Sequence, residues 1–372
     1  MDEARIARLA DWLSGTGSEG WVVETSGSTG VPKRVVLSRA AVEASIDLSA
    51  RRLTGSPLSS GRPSRWLLAV PAGFVAGMNV VSRALAAGAP PVVLADHPDF
   101  TAATEALGDA RRFCSLVPTQ LHRLLASDAA ALASYHTVLV GGGPIDPALR
   151  SRAAAAGVRM VATYGSAETC GGCVYDGVPF DGVRVATGPD GRLRIAGPTL
   201  FDRYDGEPEL TARTLVDGWF LTSDAARIED GRLTLLGRLD DMVVSGGVNV
   251  PAALVGRRLR EHPGVHDAEC LGVPDEEWGN RVVAFVVPDR GPADPAAEVR
   301  LGELRDWVAA AHPRTWAPRQ VVVLPRRPGL PRLPNGKPDR LRLAALAQQV
   351  ATGRAATQQA ATGQAATGQG PA

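Results

Sequence analysis

Residues 25–33 read Thr25-Ser26-Gly27-Ser28-Thr29-Gly30-Val31-Pro32-Lys33. Hydroxyl side chains alternate with glycines, and a lysine follows within one turn. Gly27 and Gly30 let the backbone approach an anion closely and adopt positive φ. Ser26, Ser28 and Thr29 offer O–H donors and Lys33 offers a positive charge, so the stretch is suited to gripping a phosphate. It differs from the Walker loop, because Lys33 stands three residues beyond the last glycine rather than directly after it. The plain alternative is a Ser/Gly-rich surface loop, and nine specified residues in order disfavour it.

Further segments with chemical capacity follow downstream. Val140-Gly141-Gly142-Gly143-Pro144 ends an apolar run, and its glycines permit a flat ligand to lie on bare backbone. In Thr163-Tyr164-Gly165-Ser166-Ala167-Glu168-Thr169, Tyr164 supplies a π face and Glu168 a hard oxygen ligand suited to magnesium. Asp224, in Thr222-Ser223-Asp224, is a carboxylate able to accept two O–H donors. Arg238, in Gly237-Arg238-Leu239-Asp240-Asp241, suits bidentate contact to phosphate or ribose oxygens. Near the C-terminus, Pro334-Asn335-Gly336-Lys337-Pro338 is a tight turn that projects Lys337. Taken singly, these read as a strand-ending turn, a turn aspartate and a basic surface loop. Their order along one chain speaks for a shared site.

That order resembles the adenylate-forming superfamily of acyl-CoA synthetases, luciferases and the adenylation domains of peptide synthetases. The resemblance runs from about residue 20 to about residue 345. It implies ATP, Mg²⁺ and coenzyme A as cofactor and co-substrates, and a small-molecule carboxylic acid as the partner to be activated. It further implies that Thr25, Ser26, Gly27, Ser28, Thr29, Gly30 and Lys33 hold phosphate. Gly141, Gly142, Tyr164 and Gly165 line the adenine pocket, Glu168 holds the metal, Asp224 accepts both ribose hydroxyls, and Arg238 contacts ribose and phosphate. Asp240 becomes the hinge of a C-terminal lid, and Lys337 the catalytic lysine of the first half-reaction, with Glu168 and Arg238 completing the catalytic set. The run Glu168 to Gly177, together with an expected shortening upstream of residue 25, is similar to the short o-succinylbenzoate-CoA ligases of the actinobacterial menaquinone pathway. A CoA ligase for another aryl or fatty acid, a degenerate nucleotide-binding homologue without turnover, and an adenylation domain loading a carrier protein are the alternatives.

Three positions depart from the family pattern. Ala167 stands where a Thr or Ser usually contacts the α-phosphate, leaving Ser166 or Thr169 to supply that hydroxyl. Ala253 stands where a Glu is common. Phe74, in Pro71-Ala72-Gly73-Phe74-Val75-Ala76-Gly77, fills a histidine slot of the ligases. With Gly77 and Gly142 it is expected to wall the acyl pocket.

The elements that must position these residues are legible in outline. The chain has 372 residues, enough for two domains. Apolar runs at 66–70, 91–94, 113–117, 137–140 and 158–161 alternate with Ala-rich helical stretches, which predicts a parallel sheet layered with helices. From about residue 180, short strands punctuated by Gly and Asp predict a barrel-like subdomain. The fold class is therefore α/β, with a large N-terminal domain over 1–237, a hinge at 238–241, a small α+β lid over 242–348, and a low-complexity tail over 349–372 that is expected to be disordered.

Composition narrows the function. Lys plus Arg is 40 against 39 for Asp plus Glu, and a net charge of +1 does not favour a polyanionic partner, so no nucleic acid is expected. The acidic start Met1-Asp2-Glu3 is unlike a signal peptide, no window reaches membrane-spanning length, and the cytoplasm is the expected compartment. Four cysteines argue against a disulfide framework, and Cys170-Gly171-Gly172-Cys173 reads as small residues beside a nucleotide site rather than a redox or zinc pair.

Overall fold

The computed structural model describes residues 2–15, 19–25, 33–55, 63–239, 242–289, 300–332 and 338–349. Packing divides the chain into two units. The first comprises Met1–Thr222 with Ala226–Thr234, and the second begins at Leu235 and includes Ser223–Ala225.

The first unit is built on a seven-stranded sheet. Its parallel part runs, edge inward, Val92–Val93, Ser64–Leu68, Arg111–Leu116, Thr137–Val140 and Met160–Ser166. These are the β-branched runs expected from sequence, and they are apolar throughout because helices cover the sheet. The helices Val75–Ala86, Phe100–Glu105, Pro118–Ser127 and Pro147–Ala155 make the crossovers. Two start on an aspartate cap: Asp99 accepts from the Ala102 N–H, and Asp146 accepts from the Ala148 N–H with Pro147 at the first helical position. Leu67, Cys114, Leu116, Leu121, Val138 and Val140 pack into one buried cluster.

The last parallel strand is longer than its apolar run suggested. Met160 to Ala162 pairs in parallel with Thr137–Val140, after which Thr163 to Ser166 pairs antiparallel with Gly171–Tyr175. The change of partner carries the polar segment Thr163-Tyr164-Gly165-Ser166 as strand, where hydrophobic pattern alone gives no signal.

Beside this sheet lies a three-stranded one of Trp21–Glu24, Arg34–Leu37 and Arg203–Tyr204, and an antiparallel set of Arg184–Thr187, Arg192–Ala196, Trp219–Glu229 and Leu215–Val216, continued by Arg232–Arg238. Asp-Gly pairs make hairpin corners here and at the antiparallel end of the seven-stranded sheet. Asp176, Asp217 and Asp230 have φ of 47°, 49° and 48°, each followed by a glycine of positive φ. Two successive left-handed residues match the right-handed twist of the flanking strands, which is why Asp-Gly is selected there.

In the second unit a hairpin of Met242–Ser245 and Val248–Pro251 leads into helix Ala252–Arg260. The helix forms with Pro251 at its N-cap and no side-chain cap, so the missing glutamate at Ala253 does not prevent its start. Strands Val265–Asp275 and Gly279–Pro288 pair antiparallel, and Gln320–Val323 adds in parallel. Helix Leu301–Ala309 covers one face, where Leu304 and Val308 join Val255, Leu259 and Ala284. Residues 340–349 cover the other, with Leu343 and Ala347 against Phe285 and Val287.

Asp275 organises the turn between the long strands. Its carboxylate accepts from the N–H of Glu277 and Trp278 and pairs with Arg281 at 3.0 Å. Burial alone would raise its pKa, and these donors more than offset that, holding the carboxyl below its usual range. A depressed carboxyl contributes stability above its unfolded pKa near 4, and the contribution is lost as pH falls through the folded value. Asp275→Ala is therefore expected to lower unfolding free energy by about 1 to 3 kcal/mol at neutral pH. Urea titrations at pH 7 and below about pH 4 should show the gap from the wild type closing in acid. A constant gap across that range would remove the carboxylate from the explanation.

Candidate active site

Three loops with chemical capacity leave the same edge of the parallel sheet. Phe74 follows strand Ser64–Leu68, Gly141 follows Thr137–Val140, and Glu168 follows Met160–Ser166. Phe74 and Gly141 follow carboxyl ends of parallel strands, the edge at which open α/β sheets bind ligands, and Glu168 follows the antiparallel extension of a third.

Glu168 lies in a short 3-10 turn, Ala167–Thr169, and is 8% exposed. The Tyr204 hydroxyl donates to its Oε1 at 2.8 Å, and its backbone carbonyl accepts from the Phe201 N–H at 2.9 Å. Burial first, and then the neighbouring Glu168 charge, push the Tyr204 hydroxyl far above the ordinary tyrosine pKa, so it remains a donor. The ammonium of Lys33 stands over the face of the same ring, 5.4 Å from its centroid. Lys33 is held in turn by the hairpin that closes the glycine-hydroxyl loop: the Thr25 N–H donates to the Lys33 carbonyl at 2.9 Å, and the Lys33 N–H to Thr25 Oγ1 at 3.3 Å. Lys33 and Glu168, separated by 135 positions in the chain, thus meet across one aromatic ring. Ser26, Gly27, Ser28, Thr29, Gly30, Asp240 and Lys337 lie outside the described residues.

The two hydroxyls beside Ala167 differ in what they are bonded to. Thr169 Oγ1 accepts from the Ser166 N–H at 2.8 Å and donates to the Gly171 carbonyl at 2.7 Å, so it is committed to the turn. Ser166 Oγ is buried with no hydrogen-bond partner. Buried polar atoms are normally paired, and Ser166 is the hydroxyl with capacity for a ligand.

The glycines have two kinds of role. Gly142 has φ 76°, which L side chains rarely adopt, and nothing but a Val117 methyl would approach a Cβ there. At Gly165 a Cβ would fall 1.9 Å from the Gly171 carbonyl oxygen, so close strand pairing requires glycine irrespective of any ligand. Tyr164 is half-buried on the strand, Gly77 is buried in the first turn of helix Val75–Ala86, and Phe74 caps that helix with its ring half exposed. Asp224 and Arg238 are half-buried on Trp219–Glu229 and Arg232–Arg238, and both belong to the second unit.

Sequence reasoning missed Tyr204 and Arg83. Arg83 is 3% exposed on helix Val75–Ala86, its guanidinium carbon lying 5.6 Å from the Trp66 ring centroid. Its Nε has no hydrogen-bond partner, and no described carboxylate pairs with it. On the same helix Asn79 donates to the Cys170 carbonyl at 2.8 Å. An arginine amid Ala and Val in an amphipathic stretch gives no sequence signal that it faces inward.

For a metal, the fit rests on Glu168. One carboxylate oxygen is occupied by the tyrosine and the other has no described partner. Among the described residues no group of three or more His, Cys, Asp or Glu could hold an ion alone. Mg²⁺ suits this arrangement, because in nucleotide sites it is held by one or two carboxylates plus substrate phosphates.

Fold and site together define a nucleotide-handling α/β enzyme with a separate C-terminal unit. The chain matches the AMP-binding enzyme family over residues 22–204 and the AMP-binding enzyme C-terminal domain over 257–337. A probable 2-succinylbenzoate–CoA ligase of Mycobacterium tuberculosis is 42% identical over 345 residues, covering 89% of this chain and 84% of that protein. A feruloyl-CoA synthase of Amycolatopsis is 32% identical over 331 residues, covering 82% and 65%. Among solved structures, the o-succinylbenzoate-CoA synthetase of Bacillus subtilis in complex with its acyl-adenylate intermediate superposes with a TM-score of 0.69 at 26% identity, covering 87% of this chain and 68% of that one. The protein belongs to the AMP-binding, adenylate-forming enzyme family.

The cysteines take no part in this site's chemistry. All four are buried and free, and burial pushes the Cys170 and Cys173 thiols up to about 12. Both remain protonated and unreactive at neutral pH. A thiol-specific chromogenic reagent is expected to find no reactive cysteine in the native protein and four after denaturation. Rapid native labelling at Cys170 or Cys173 would show that the turn carrying Glu168 opens far more readily than its packing implies.

Proposed function

We propose that the protein is an AMP-forming acid-thiol ligase that couples o-succinylbenzoate to coenzyme A through an acyl-adenylate, a step of menaquinone biosynthesis. The observation that carries this reading is the meeting of Lys33 and Glu168 across Tyr204, in the turn that also holds the unpartnered Ser166 hydroxyl. It is an arrangement for a metal-bound polyphosphate. The named relatives and the bound acyl-adenylate of the Bacillus enzyme supply the acid. Dependence on ATP and coenzyme A, and the absence of a helix long and apolar enough to cross a membrane among the described residues, support a cytoplasmic setting.

The substrate carboxylate attacks the α-phosphorus of ATP and pyrophosphate leaves. A carboxylic acid of ordinary pKa near 4 is ionised at neutral pH, so no general base is required. Catalysis reduces to aligning two anions and stabilising charge on the phosphoryl oxygens. Lys33 and the hairpin hydroxyls grip the phosphates, Ser166 donates to a phosphoryl oxygen, and Tyr164 with Gly141 and Gly142 holds adenine. Asp224 takes the ribose hydroxyls and Arg238 the ribose and phosphate oxygens. Mg²⁺, held through Glu168, supplies charge neutralisation. Lys337 bridges the carboxylate and phosphate oxygens, and rotation of the C-terminal unit about Asp240 then admits the thiol that displaces AMP.

A second reading, a ligase for a different aryl acid, is favoured by the exposed Phe74 ring in the histidine slot and by the feruloyl-CoA synthase relative.

The deciding assay is coenzyme A-dependent AMP release across a panel of acids. The o-succinylbenzoate reading expects turnover that falls sharply for benzoate and ferulate. Preference for a monocarboxylic aryl acid would select the second reading. Separately, Lys337→Ala is expected to slow adenylation by about 10² to 10³, with thioester formation from supplied acyl-adenylate near wild type. Equal loss in both half-reactions would mean that Lys337 does not act by bridging the two reacting anions.

A further inference from the structure

We infer that Tyr204 is a positioning residue of the metal-nucleotide site: it keeps Lys33 and Glu168 from neutralising one another and presents one Glu168 oxygen to the metal. The inference rests on the ligase reading above.

The chain segment around Tyr204 ties together the two elements that carry these charges. Tyr204 pairs with Val35, two residues beyond Lys33, and Arg34 meets Asp205 at 2.9 Å. Three residues before Tyr204, the Phe201 N–H bonds to the Glu168 carbonyl at 2.9 Å. The Tyr204 N–H is satisfied by Thr211 Oγ1 at 2.9 Å, and its ring packs 4.9 Å from Phe201. The side chain is 2% exposed and has little freedom to leave.

An ammonium and a carboxylate in a partly buried site attract strongly. Without an intervening group they would close into an ion pair and withdraw both from the ligand. The tyrosine serves each separately. Its face takes the cation through the ring quadrupole, and its hydroxyl takes Oε1 of the carboxylate. Outer contacts of this kind orient a metal-binding carboxylate, and their loss typically costs about 10- to 100-fold in metal affinity.

Calorimetric binding of ATP to the full chain, with and without Mg²⁺, tests this. The readout is the factor by which the metal tightens nucleotide binding. Tyr204→Phe keeps the ring and is expected to leave metal-free ATP affinity within about twofold while cutting the metal enhancement about tenfold. Glu168→Gln should cut it at least as far, and the double variant should be no worse than Glu168→Gln alone. Tyr204→Leu removes the cation's platform and should weaken metal-free ATP as well. Tyr204→Trp, which keeps an aromatic face for the cation and loses the hydroxyl, should shift the enhancement in the same direction, and it decides the matter if Tyr204→Phe does not fold.

Full enhancement in Tyr204→Phe alongside its loss in Glu168→Gln would overturn the inference and leave the ligase reading standing. Equal weakening of metal-free and metal-bound ATP in Tyr204→Phe would reduce the residue to a packing role and also overturn it. Full enhancement in Glu168→Gln would remove the metal role of Glu168 itself, and with it the reading on which the inference rests.

Discussion

Strand Met160–Ser166 has two partners of opposite direction, and the position of Glu168 depends on that exchange. Parallel pairing anchors Met160 to Ala162 in the buried sheet. Antiparallel pairing with Gly171–Tyr175 then obliges the chain to reverse within Ala167 to Cys170. A reversal so short is a single 3-10 turn, closed by Thr169 through its bonds to Ser166 and Gly171 and by Cys170 at φ 53°. The carboxylate at its centre is consequently fixed by backbone geometry on both sides. Gly165 is needed for the same reason, because the partner strand passes too close for a Cβ.

Around this turn the chemistry is electrostatic throughout. The first half-reaction joins one anion to another, so the site needs positive charge, hydroxyl donors and bare backbone more than a base. Lys33 and Ser166 fit those needs, and a metal held through Glu168 fits them as well. Opposite charges that share one aromatic ring as a neighbour create a hazard of their own, mutual neutralisation, which a spacer with a polar tip avoids. Tyrosine is the side chain that offers a cation a face and a carboxylate a donor at once.

The sequence was most informative where a local rule decides. The runs at 137–140 and 158–161 became parallel strands because continuous apolar, β-branched stretches have no polar face to offer solvent, and Asp176-Gly177, Asp217-Gly218 and Asp230-Gly231 became hairpin corners because two left-handed residues are demanded there. The chemical segments were legible as types: hydroxyls, glycines, a lysine, a glutamate. Tyr204 and Arg83 were not, since each owes its role to partners 36 and 17 positions away, Glu168 and Trp66, with no spacing rule linking them. The choice between Ser166 and Thr169 was likewise closed to sequence. Both are small hydroxyls flanking the same turn, and the turn's own hydrogen bonds consume one of them.

Arg83 is a buried charge that the fold carries at a cost. Removing a guanidinium from water costs several kcal/mol even after relaxation, and stacking on Trp66 recovers about 0.5 to 2 kcal/mol. Asn79, one turn away, is committed through its nitrogen to the Cys170 carbonyl, and its Oδ1 is itself unpaired. Arg83 Nε and Asn79 Oδ1 are thus two buried atoms without partners on one helix face, and each carries a desolvation cost. Arg83→Leu keeps an apolar side chain against Trp66 and removes the buried charge, so urea titration is expected to show a more stable fold than the wild type.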